Sequence, residues 1–146
     1  MHEYKSLGLE EARMIVKAAI KYAVDNEGLP MAVAVVDRHG SPLCLARMDG
    51  AFSLAARMCL TKCYSAMELL RDTVIARKDF DSRPEKLKSY EFSSTVFTTI
   101  PGGCLIKTKD GSIVGAIGSS GRTPQRDEEV ARAGAKAFEE SKYFEM

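Results

Sequence analysis

Two apolar runs separated by a short turn constrain this chain more than any other feature. Val33-Ala34-Val35-Val36-Asp37 is rich in β-branched residues, Gly40 follows, and Pro42-Leu43-Cys44-Leu45-Ala46-Arg47 reads as a second strand. Residues that fit a pleated surface, joined by a few turn-forming residues, make an antiparallel hairpin, because a parallel return would need a crossover of a dozen residues or more. Strands over 31–37 and 42–48 are therefore expected. The second one ends in Arg47-Met48-Asp49-Gly50, where strand chemistry gives way to loop chemistry and charge collects at the exit.

The rest of the chain must pack against that hairpin. Leu9, Ala12, Val16, Ala19, Ile20 and Ala23 recur at helical spacing, with Glu10 and Glu11 at the start and Gly28-Leu29-Pro30 after the end, which predicts a helix over about 9–26. Ser53 is the expected cap of a second helix that uses Leu54, Met58, Cys59, Ala66 and Leu70 and ends near 70–76. Residues 77–91 are charged and interrupted by Pro84, and are read as a short helix, a lid or an exposed connection. Strands are expected at Thr95–Ile100, Gly103–Lys107 and Ser112–Gly118, with Lys109-Asp110-Gly111 as the turn between the last two. Thr123-Pro124 opens a final helix, with Asp127, Glu128 and Glu129 early in it. The order α-β-β-α-(α)-β-β-β-α, with strands paired through short turns, indicates an α+β class with an antiparallel sheet and argues against a doubly wound parallel one.

With 146 residues, 45% of them hydrophobic, the chain is sized for one domain spanning 1–146 with a single core. Its 21 basic and 20 acidic residues leave a net charge of +1, and no basic stripe suited to nucleic acid stands out. No run approaches the apolar length of a membrane span or a signal peptide, so a cytoplasmic protein without membrane or nucleic-acid partners is expected. Four cysteines are too few for a disulfide scaffold.

Several residues could carry chemistry, each with a structural alternative. Arg47 offers a planar fork to a carboxylate and Asp49 can accept a proton, or the two form an ion pair or a turn cap. Lys62 is a solvated charge or a binding cation. Gly102-Gly103 and Gly115-Ala116-Ile117-Gly118-Ser119-Ser120-Gly121 allow bulges and close packing, or let a ligand approach bare backbone. The latter spacing matches neither a dinucleotide fingerprint nor a P-loop. Cys59 and Cys63 share a helix face without a histidine or second pair, which makes no zinc site, so no metal is expected. His39 falls in the hairpin turn, exposed or a haem ligand; Met48 and Met58 are core candidates.

The chain resembles the GlcG/HbpS family, which includes the C-terminal domain of PduO-type cobalamin adenosyltransferases. The matching pieces are Ala34-Val35-Val36-Asp37 with Gly40, Arg47-Met48-Asp49-Gly50-Ala51, Lys62 with Ala66, Ile100-Pro101-Gly102-Gly103, Asp110-Gly111, Val114-Gly115-Ala116-Ile117-Gly118, Ser120-Gly121 and Asp127-Glu128-Glu129-Val130-Ala131. Departures are Cys63 where alanine is usual, Cys104-Leu105 after the double glycine, and Ser119 in an aliphatic position. The resemblance implies a five-stranded antiparallel sheet packed with helices, a homo-oligomer, and a ligand-binding role in which haem is the candidate cofactor.

The expected function is a small-ligand-binding accessory or sensor protein, with Arg47, Met48, Asp49, Lys62, Gly102, Gly103, Ser120 and Gly121 at the site and haem or a small carboxylate as the ligand. Two other readings stay open. One is an enzyme, a lyase, isomerase or hydrolase, acting on a small hydroxy- or keto-acid with Asp49 or Asp37 as proton acceptor. The other is an oligomeric assembly subunit without a ligand.

Overall fold

The computed structural model describes residues 1–86 and 96–146. In chain order the elements are α1 (Leu9–Asp25), β1 (Ala32–Asp37), β2 (Pro42–Arg47), α2 (Ser53–Leu69), α3 (Thr73–Ser82), β3 (Gly103–Lys107), β4 (Ile113–Ser120) and α4 (Pro124–Glu139). The expected hairpin is β1–β2. Asp37 shapes its turn by accepting the backbone N–H groups of His39 and Ser41 at 2.9 and 3.0 Å. The second hairpin, β3–β4, turns through Gly111, while Asp110 accepts from Ser112 N–H at 3.0 Å. All pairings are antiparallel, in the spatial order β2-β1-β4-β3.

Side chains alternate across β1 and build two different cores. Val33 and Val35 join Ile15 of α1, Ile117 of β4 and Val130 of α4 on one face. Ala32, Ala34 and Val36 join Ala55, Cys59, Cys63 and Ala66 of α2 on the other. The second core is made of small residues, so α2 lies close to the sheet. At Gly118 the approach is limiting, since a Cβ there would collide with the Cys59 carbonyl oxygen and the Cys63 nitrogen. This shallow packing also explains which face of α2 is used. Leu54 and Leu70, expected in the core, are 63% and 53% exposed, and Ala55, Cys59, Lys62, Cys63, Ala66 and Met67 are buried instead. Ser53 is the first helical residue rather than the cap, a position held by Phe52.

The five-stranded expectation is corrected to four strands among the described residues. Thr95 lies outside the described residues, and 96–100 forms no strand. The free edge of β3 is already used by the start of α3. Gly103 N–H donates to Thr73 Oγ1 at 3.0 Å, and Leu105 N–H donates to Asp72 at 2.8 Å. With those edge donors taken, residues 96–100 pack along α2, where Thr98 N–H donates to Ser65 Oγ at 2.8 Å. The uncertain stretch 77–91 is helical over its first part, as the end of α3, and 87–91 lies outside the described residues.

Candidate functional site

One end of the sheet gathers most of the residues singled out from sequence. Ala32 of β1 pairs with Arg47 on one side and Ser120 on the other, so Arg47 and Ser120 stand in one row, two strand spacings or about 10 Å apart. Ser119 N–H donates to the Gly102 carbonyl at 2.9 Å, which adds the Pro101-Gly102-Gly103 corner to the same end. Asp37 lies at the other end of β1, five residues or roughly 17 Å away, with its carboxylate committed to the hairpin turn. His39 is exposed in that same turn. The two candidate proton acceptors, Asp37 and Asp49, are thus not brought together.

Behind this end sits a buried ion pair. Lys62, in the middle of α2, is 1% exposed, and its ammonium donates to Asp127 Oδ2 at 2.9 Å and to the Ser119 carbonyl at 3.0 Å. Of the two readings of Lys62, the solvated charge is corrected: the small residues of α2 bring its axis so near the sheet that the side chain enters the seam between β4 and α4. Gly102 leaves room for it, since a Cβ there would stand 3.0 Å from the ammonium. In the sequence Asp127 was an acid early in a helix and part of a run that carries the family resemblance, with no role of its own. It is 3% exposed, and Oδ1 accepts the Arg122 N–H at 2.9 Å. Burial pushes its carboxyl above the ordinary range, against the pull of the Lys62 ammonium and of the Arg122 and Gly121 N–H groups. Ser119 completes the clamp by donating its hydroxyl to the Asp127 carbonyl.

Arg122 is a second residue that the sequence did not flag. Its guanidinium donates to the carbonyls of Ala23, Asn26 and Leu29 at 2.7, 2.7 and 2.8 Å, closing the C-terminus of α1. Arg47 makes a similar structural bond, donating to the Ala51 carbonyl at 2.6 Å in the loop that leads into α2. Met48 is half-buried, and its sulfur accepts the Met31 N–H at 3.3 Å. Arg47, Met48 and the exposed Asp49 border a hollow of about 470 Å³ that opens beside Ile20 and Val24 of α1.

Ser120 and Gly121 border a different and larger space. A groove of about 640 Å³ runs between the first turn of α2 and residues Ser120–Arg122. Phe52 and Leu54 are 76% and 63% exposed along its wall. Its floor is the strand end that the Lys62–Asp127 pair holds in place. Gly121, at φ +136°, turns the chain there into α4 at a point where a Cβ would stand 2.8 Å from the Pro30 carbonyl. Its volume falls within the range of small-molecule sites.

Away from this end, Asp72, Cys104 and Glu128 place ligand atoms within 4.8 Å of one another, the one such group of metal-ligating side chains among the described residues. Arg132 bridges the two carboxylates at 2.8 and 2.6 Å and supplies the compensating charge. Burial, reinforced by the Glu128 carboxylate, pushes the Cys104 thiol up, so the arrangement ties α3, β3 and α4 together. No described helix is long and apolar enough to cross a membrane.

Comparison with known proteins agrees with this architecture. An uncharacterised 15.0 kDa protein from the dhaT-dhaS intergenic region of Citrobacter freundii is 30% identical over 135 residues, covering 92% of this chain and 94% of its own length. The crystal structure of a double mutant of Streptomyces reticuli HbpS superposes with a TM-score of 0.79 at 30% identity, over 93% of this chain and 89% of that one. A crystal structure of a PduOC–haem complex shares the fold, with a TM-score of 0.75 at 24% identity, over 90% of this chain and 94% of that one. The family model described as haem degrading protein HbpS-like matches residues 7–136, and this chain belongs to that family.

Proposed function

We propose that this chain is a small-ligand-binding protein, an accessory or sensor component in small-molecule catabolism, that takes haem or a small carboxylate-bearing molecule at the Ala32 end of its sheet. The observation that carries the reading is the groove of about 640 Å³ between the first turn of α2 and Ser120–Arg122, walled by exposed apolar side chains. The family description and the haem complex of a relative with the same fold support haem as the ligand class.

The groove fits part of what haem requires. Phe52, Leu54 and Met58 offer an apolar wall to a flat ring, and the N-terminus of α2 offers donors to a carboxylate. No histidine lines it, and His39 belongs to the turn at the far end of the sheet. Ser120 and Gly121 border the ligand directly in this reading. Gly102, Gly103 and Lys62 act from behind, by fixing the strand end, while Arg47, Met48 and Asp49 flank it across β1. The same end of the sheet, with the partly open β2 beside it, is the proposed contact between copies in a homo-oligomer.

Haemin titration of the purified protein, followed in the Soret region, tests the reading. Saturable one-to-one binding is expected, weakened in Arg47→Ala with the fold retained and unaltered in His39→Ala. An unchanged affinity in Arg47→Ala removes that residue from the site, and absence of any saturable change in the wild type refutes haem.

A further inference from the structure

The floor of the groove holds a hydroxyl with no protein partner among the described residues. Ser120 is 8% exposed, yet its hydroxyl makes no hydrogen bond among the described residues. Its direction follows from the strand. Alternation along β4 places Ala116 in the core beneath α2, and Gly118 beneath the Cys59 carbonyl, so Ser120 continues the row toward the turn before it, the start of α2. Ser120 and Ser53 accordingly border the same groove. A buried hydroxyl is ordinarily partnered, and one left open toward a cavity marks a place where a ligand or water supplies the partner.

The start of α2 faces it with unsatisfied donors of its own. α2 is a 17-residue helix whose N-cap position is held by Phe52, which has no side chain able to cap it. The Ser53 and Leu54 N–H groups have no acceptor among the described residues, and the first backbone bond of the turn is Ala55 N–H to the Phe52 carbonyl at 3.0 Å. Aligned peptide dipoles add the equivalent of about half a positive charge there. Three donors from two elements thus border one groove, with an apolar wall beside them.

From these observations we infer that the groove recognises a monocarboxylate borne on an apolar body, with the carboxylate bonded by the Ser120 hydroxyl and the Ser53 and Leu54 amides and the body against Phe52, Leu54 and Met58. This deepens the ligand-binding reading and rests on it. Donor number selects the monoanion. Arg122 borders the groove and keeps its charge, but its guanidinium donates to three carbonyls of the α1 terminus, and the Lys62 ammonium donates to Asp127. Among the described residues neither cation is directed at an anion in the groove, so the further oxygens of a phosphate dianion would lack donors, whereas one carboxylate matches the three donors.

The test is amide-resolved NMR titration of the full chain with sodium benzoate, benzamide and inorganic phosphate. Benzoate is expected to shift the Ser53 and Leu54 amides saturably, and benzamide and phosphate to leave them in place. Ser120→Ala removes an unpartnered hydroxyl and keeps the melting temperature, while benzoate affinity falls about tenfold. Ser53→Pro deletes one amide donor at the first helical position, where proline is favoured, and weakens benzoate in the same way. Phe52, at φ −66° and ψ 146°, already has the backbone that a following proline requires. Unchanged benzoate affinity in both variants, shifts that map away from the start of α2, or phosphate binding as tightly as benzoate would each overturn the inference. Haemin run in parallel separates the two readings: haemin binding without benzoate binding overturns the monocarboxylate site and spares haem, and benzoate binding without haemin does the reverse.

Discussion

Ile117 and Gly118 are neighbours on β4 that point to opposite faces of the sheet, and what each meets there differs. Ile117 enters a core of branched side chains shared with α1 and α4, where stability comes from filled volume. Gly118 lies under α2, where alanines, cysteines and a bare glycine let a helix approach until its backbone touches the strand. The volume-filled face can trade one aliphatic group for another. The close-packed face cannot, and it is the one that carries the buried ion pair and the groove. The ion pair and the groove depend on thinness: only a helix this near the sheet can send Lys62 through to Asp127 and bring its first turn beside Ser120.

Unpairing the clamp has the largest expected effect. Lys62→Met leaves the Asp127 carboxylate buried without its cation, and a loss of roughly 3–5 kcal/mol in unfolding free energy is expected by chemical denaturation. Restoration of most of it in Lys62→Met combined with Asp127→Leu would show that the cost was an orphaned charge. A loss below about 1 kcal/mol in the single variant would instead place the pair in contact with water.

Gly118→Ala adds one methyl group on the close-packed face. The clash is with backbone of α2, so a loss near 3 kcal/mol is expected, the upper part of the range for overpacking. A variant as stable as wild type would mean that α2 can lift off the strand, and the argument for a thin face would fail.

The thiols under α2 sharpen the same contrast through pH. Burial pushes Cys59 up to about 12, with the Leu60 backbone and the Lys62 ammonium pulling weakly the other way. A folded-state value above the unfolded one means that the native thiol keeps a proton the unfolded chain has already lost. Its contribution is whole below the ordinary thiol range and declines as pH rises from there through about 12. Denaturation midpoints should therefore fall over that window with a shallower slope in Cys59→Ala; identical slopes would remove the thiol as the cause.

The smallest effect belongs to the volume-filled face. Ile117→Val removes one methylene next to Ile15 and Val130 and should cost about 0.5–1.5 kcal/mol, leaving haemin and benzoate binding unchanged. A cost as large as that of Gly118→Ala would erase the distinction between the faces.

Much of this molecule was legible in the sequence because it is local. The β1–β2 and β3–β4 hairpins declare themselves through apolar runs around Gly40 and Gly111, α1 through its spacing, and α4 through Thr123-Pro124, whose threonine hydroxyl accepts the Arg126 N–H at 3.3 Å. The fifth strand was misread because Thr95–Ile100 has strand composition, and composition cannot report that Asp72 and Thr73 have taken the edge where it would pair. The buried face of α2 was misjudged for a related reason. Leu54 and Leu70 look like core residues, but a helix pressed onto glycine and alanine buries its smallest side chains.

The site divides along the same line. Arg47, Ser120 and Gly121 could be named as candidates because they sit at strand ends beside turns, where ligand-contacting residues collect. Their separation into a hollow beside α1 and a groove beside α2 could not.

Period, turn chemistry and capping act over a few residues, so the elements and their antiparallel pairing are written locally in the chain. Which charges are buried and which donors are left open depends on packing between distant segments. Lys62 and Asp127 are 65 positions apart, and neither carries a local sign of the other. Their pairing exists because the two helices close on the same strand from opposite faces, and the energy of a charge depends on the solvent it has lost, which no short stretch of chain can specify.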